Sequence, residues 1–94
     1  MKVYLIFGHT GEYDSYYKWL FKIVYINHQS AIDKVNELNN KLKQLNMHTD
    51  NSQPIYDYSK KHRIHQQIMM ILDPSFHYDY TGASYEIEEA ERED

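Results

Sequence analysis

Ala31, Val35, Leu38, Leu42 and Leu45 recur at spacings of 4, 3, 4 and 3. Only an α-helix places such positions on one stripe, so about four turns of amphipathic helix must lay this stripe on an apolar partner. Ser30 with Asp33 three residues on reads as the helix N-cap followed by an acid that favours the dipole. Two heptads are too few to argue a coiled coil, so the stripe is expected to pack on a sheet.

Strand-like sequence lies on both sides of this helix. Val3, Leu5 and Phe7 alternate with Tyr4 and Ile6 before Gly8, and His9 to Ser15 (HTGEYDS) has turn composition. A second strand is expected over residues 16 to 26, with Tyr17, Trp19, Phe21, Ile23 and Tyr25 on one face and Lys18 and Lys22 on the other. The connection is too short for a parallel crossover, so the pair forms an antiparallel hairpin. Ala83 to Glu89 (ASYEIEE) alternates again and gives a third strand, with Tyr85 and Ile87 on one side and Glu86 and Glu88 on the other.

Between helix and third strand, Asn46 to Pro54 is a polar connector. From Pro54 to Leu72 the chain reads as a second helix, with Tyr58, His65, Ile68 and Leu72 on one stripe and Ile64 and Ile71 beside it. The run Ile68 to Leu72 (IMMIL) also fits a short buried strand, because periodicity does not separate the two at this length. The expected fold class is α+β: a small antiparallel sheet, made of an N-terminal hairpin plus a C-terminal strand, packed against two helices.

Ninety-four residues fit one domain, expected over 1–89, in which folding removes only about 60 to 65% of the accessible surface. Residues 86 to 94 hold six acids and one base, so most of the net charge of −4 belongs to this end; 90–94 is expected to be an acidic flexible tail. With no cysteine, disulfides and thiolate zinc sites are excluded, in keeping with a reducing compartment. The opening residues show no signal-peptide pattern and no apolar run approaches about 20 residues, which points to the cytoplasm.

Six histidines invite a metal reading. His62 and His65 lie three apart, a helical spacing of about 5 to 6 Å that lets two imidazoles share an ion. His9 and His77 lie in glycine-containing loops beside acids, Asp73 among them, so a mixed site of His62, His65, His9, His77 and Asp73 would close if a loop reached the helix. Zinc is the ion such a set would take. Solvent-facing imidazoles are the competing reading.

Catalytic motifs are missing from the sequence: no thiol nucleophile, no GxSxG, no phosphate-binding glycine loop and no HExxH. Lys60, Lys61 and Arg63 make one basic turn, a solvated face rather than a phosphate track on an acidic chain. No direct contact with nucleic acid and no enzyme activity are expected. Ten tyrosines suit strands, and equally a half-wet protein interface.

Two segments, FGHTGEYDSYYKW at 7 to 19 and DPSFHYDYTGASYEIEE at 73 to 89, resemble the terminal signatures of a group of small uncharacterised proteins from phages and other bacterial mobile elements. The chain departs from that group at His9, where the group has a small residue, so a metal role for His9 would belong to this chain. In size, origin and tyrosine content it is also similar in kind to anti-CRISPR inhibitors. That resemblance implies a cytoplasmic inhibitor of a Cas9-type nuclease in the bacterial host, making contact through Tyr13, Tyr16, Tyr78, Tyr80, Glu88 and Glu89. The alternative is a phage accessory protein with a cellular or self-associating partner.

Overall fold

In the computed structural model the alternating segments form one antiparallel sheet: β1 (Lys2–Thr10), β2 (Tyr17–Tyr25) and β3 (Ala83–Glu91), in the order β2-β1-β3. Two helices, α1 (His28–Gln44) and α2 (Lys60–Leu72), lie between β2 and β3 in the chain. This is the expected α+β class. The structure describes residues 1–10, 17–45, 47, 60–77 and 82–92, with 60–63 described by backbone only.

The apolar stripe of α1 behaves as its spacing requires. Ala31, Leu38, Leu42 and Leu45 are buried, and the three leucines share one cluster with Ile6, Trp19, Phe21 and Tyr85 of the sheet, against which Val35 packs. The helix starts earlier than Ser30. Asn27 is its N-cap: its backbone is extended, and its Oδ1 accepts from the Ser30 N–H at 3.0 Å, placing Ser30 in the first turn.

Ile68 to Leu72 is helical, and α2 turns Met69 fully into the core with Ile68 and Leu72 packed beside it. The buried stripe is therefore centred on Met69, which leaves Ile64 and Ile71 in solvent. The expected start of this helix, between Pro54 and Tyr58, lies outside the described residues.

β1 is the central strand and is longer than its apolar alternation, running through His9 to Thr10 because β2 and β3 pair with it to the end: His9 faces Lys18 and Ser84, and Thr10 faces Tyr17 and Ala83. His9 is thus a strand residue. β3 also exceeds its expected end, since Ala90 pairs with Val3 and Glu91 with Lys2. The Arg92 N–H then donates to the Met1 carbonyl at 2.8 Å. The acidic segment expected to be a free tail from residue 90 is, through Glu91, a sheet strand; residues 93–94 lie outside the described set.

The two outer strands have differently protected edges. Along β3, the Tyr85 N–H donates to Asn39 Oδ1 at 2.9 Å, Asn39 Nδ2 donates to the Tyr85 carbonyl at 3.1 Å, and the Ala83 N–H donates to the Met47 carbonyl at 2.8 Å. An amide of α1 and the chain beyond it thereby take the place of a fourth strand. β2 carries Lys18 and Lys22 and an irregular register, in which Leu5 faces Val24 but Phe7 faces Leu20. Lysines and a bulge both discourage edge pairing. Replacing Leu38 by Ala, at the centre of the buried stripe, should cost about 2 to 5 kcal/mol in urea unfolding; an unchanged midpoint would contradict the placement of α1.

Candidate functional site

The sheet face toward the helices carries Ile6, Gly8 and Thr10 of β1, Trp19 and Phe21 of β2, and Ala83 and Tyr85 of β3, as the register dictates. Gly8 lies between Trp19 on one side and Tyr85 on the other. A Cβ at Gly8 would sit 2.2 Å from the Trp19 ring. Glycine is required because the indole lies flat on this stretch of backbone, not because of a turn.

With the indole seated there, its N–H reaches a single buried acid. Trp19 Nε1 donates to Asp73 Oδ2 at 2.7 Å, and the Tyr85 hydroxyl donates to the same oxygen at 2.6 Å. Oδ1 accepts from the Ser75 N–H at 3.1 Å, the local turn of an Asp-Pro-Ser sequence. Asp73 is fully buried, and its neighbours here are all donors, the set a carboxylate needs away from water. Phe76 and Tyr85 meet the Trp19 ring edge-on, at centroid distances of 5.7 and 5.9 Å. Burial first, and then the hydrogen bond to Asp73, pushes the Tyr85 phenol far above the ordinary tyrosine range, so Tyr85 stays a donor.

This arrangement reassigns Asp73. Both its oxygens are committed to protein donors. His9 alternates with Gly8 and Thr10 and so faces away from the helices, where its Nε2 lies 3.0 Å from Ser84 Oγ. His65 is on α2, across the sheet from His9. His77 lies against the Tyr17 ring at 4.6 Å. The side chain of His62 is outside the described residues. Among the described residues no group of three or more His, Asp or Glu side chains could hold a metal ion. Because β1 continues through His9 instead of turning there, His9 and the helix that carries His65 lie on opposite sides of the sheet.

Of the residues expected to meet a partner, Tyr13, Tyr16, Tyr78 and Tyr80 lie outside the described residues. Glu88 is hydrogen-bonded to Lys18, whose ammonium also lies 4.4 Å from the Phe7 ring centroid, and Glu89 is 3.4 Å from Lys2. Glu88 and Glu89 therefore each lie beside a lysine of the same sheet, and Lys18 also comes within 3.8 Å of Glu86. Glu88 lies on the face away from the helices, where Leu20 and Val24 of β2 are exposed.

At one end of the sheet the chain is tied across a wide sequence separation. Thr10 Oγ1 donates to the Gly82 carbonyl, and Gly82 has φ 86°, the left-handed conformation that calls for glycine. Tyr17 and His77 meet at this same end. Comparison with protein-family models, curated proteins and solved structures finds no match.

No local sequence pattern declares the Asp73 cluster. The available signal was a lone tryptophan, whose buried N–H requires an acceptor, together with an acid in an Asp-Pro turn. The Tyr85 phenol gives a direct test. Above pH about 10 the unfolded phenol loses its proton while the folded one keeps it, so the unfolded state binds fewer protons and stability falls as pH rises. Parent stability should fall by about 1.4 kcal/mol per pH unit more steeply than that of Tyr85→Phe; equal slopes would place the hydroxyl elsewhere. Gly8→Ala, which must displace the indole, should cost on the order of 3 kcal/mol in denaturant unfolding.

Proposed function

We propose that this protein acts by binding another protein, not by covalent chemistry, and that the contact is made at the end of the sheet marked by Tyr17 and His77. The observation that carries this reading is the convergence there of two distant parts of the chain. Thr10 is bonded to Gly82, and the Tyr17 ring packs on His77 while remaining 49% exposed. A tyrosine held at one edge and open at the other offers apolar area and a hydroxyl at low entropic cost, the property that favours tyrosine in binding hot spots. The buried Asp73 carboxylate and the Tyr85 hydroxyl are consumed by the fold, so the reading does not depend on them.

The partner class we propose, a host defence nuclease of the Cas9 type inhibited by occupation of its surface, follows from the likeness in size, origin and tyrosine content to anti-CRISPR inhibitors. Thr10, Tyr17, His77 and Gly82, from the segments at 7–19 and 73–89, lie at this end of the sheet. Purified parent protein should bind a Cas9–guide complex and restore plaque formation on a CRISPR-immune host. Tyr17→Ala should weaken binding at least tenfold without altering the unfolding midpoint, a loss of about 1.4 kcal/mol or more. Binding by the parent without plaque rescue would retain the contact and remove the inhibitory role. Absence of both would overturn the reading.

A further inference from the structure

Helix α1 covers one face of the sheet, and the opposite face is a patterned surface. There β1 presents Leu5 and Phe7, with Val24 and Leu20 of β2 across from them on one flank and Glu88 and Glu86 of β3 on the other. Leu20 is 47% and Val24 51% exposed, so the apolar row stands open. The two carboxylates share one ammonium: Lys18 donates to Glu88, comes within 3.8 Å of Glu86 and lies over the Phe7 ring. The acidic row thus keeps one negative charge beyond the cation it holds.

The spacing of these rows suits a helix. Neighbouring strands lie about 4.8 Å apart, so the two rows are about 10 Å from each other, the width of one α-helix lying along β1. Within each row the side chains are level with positions two apart on β1, about 7 Å, close to the roughly 6 Å between i and i+4 of a helix. A second copy of the chain fits badly. With the pair centred on β1, a two-fold axis along the strands sets Leu20 of each copy on Glu86 of the other and Val24 on Glu88, while one across the strands sets acid on acid. Strand addition at β2 is opposed by its lysines and irregular register.

We infer that this face takes an amphipathic helix of a partner protein, apolar toward β2 and basic along the flank that meets β3. Leucines at i and i+4 rest on Leu5, Leu20 and Val24, and lysines or arginines at matching positions reach Glu86 and Glu88. The sheet then lies between two helical layers, as apolar sheet faces require. The apolar contact is small, so the affinity is modest. This surface uses residues other than Tyr17 and His77, and does not rest on the binding role assigned to them.

The probe is a helical peptide of about 14 residues built from Leu, Lys and Ala, with Leu at i and i+4 and Lys on one flank. Titrated to about 1 mM, it should shift the backbone amide signals of Leu5, Leu20, Val24 and Glu88 most, while a peptide with Glu in place of Lys leaves them unmoved. Leu20→Asp, at a site already half in solvent, should keep the parent circular dichroism spectrum and weaken peptide binding by about tenfold or more. Glu88→Gln, which conserves shape, should weaken it severalfold and make it less sensitive to salt. No shifts by that concentration, shifts centred on other residues, or equal binding of the acidic peptide would each overturn the assignment. So would a dimer of the parent that Leu20→Asp abolishes, because the occupant would then be a second copy. Tyr17→Ala should leave peptide binding unchanged, and Leu20→Asp should leave nuclease binding unchanged, so the two surfaces fail separately.

Discussion

Asp73 is the point on which the rest of the structure depends. A carboxylate taken out of water is costly unless donors replace its hydration, and here the indole of β2, the phenol of β3 and an amide of its own turn do so. A hydrogen bond to a charged group contributes about 1.5 to 3 kcal/mol, against a total stability of only about 5 to 15. Asp73 also directly follows α2, and its N–H continues that helix by donating to the Met69 carbonyl at 2.8 Å. One side chain thereby joins the end of a helix to both outer strands of the sheet.

The central strand adapts to this join. β1 contributes no side chain at Gly8, which lets the indole lie on the backbone and reach the acid from β2. Tyr85 reaches it from the opposite strand, and the Tyr85 backbone is held in turn by Asn39 of α1. Helix α1, the sheet and α2 are therefore connected through neighbouring groups on two residues. The segments at 7–19 and 73–89, far apart in the chain, meet here through Gly8, Trp19, Asp73, Phe76 and Tyr85. These side chains are consumed by packing, and a binding role has to be sought on surfaces outside this cluster.

What was legible in the sequence was whatever repeats. The leucine stripe of α1 and the alternation in all three strands declare themselves through period, and Leu38, Leu42, Trp19, Phe21 and Tyr85 are buried as those periods require. Features that depend on a distant partner were not legible. His9 looks like a turn residue until Lys18 and Ser84 flank it, and Ala90 and Glu91 look like tail until Val3 and Lys2 pair with them. Asn27 does not stand out as a cap because Ser30 offers an equally good local pattern. Asp73 looked like a loop acid fit for a metal, since nothing local says that the only tryptophan folds back across 54 residues to meet it.

The same distinction governs the candidate site. Alternation could place Glu88 on a sheet face, but only the register reveals that Lys18 reaches across Phe7 to pair with it. The most direct measurement of the central claim follows from the chain having one tryptophan, whose indole proton gives a single resolved signal. Hydrogen exchange at Trp19 Nε1 should be as slow as at the core amides of β1, limited by global unfolding, and should accelerate sharply in Asp73→Ala. An indole proton that exchanges within the dead time in the parent, or at the same rate in Asp73→Ala, would contradict the account.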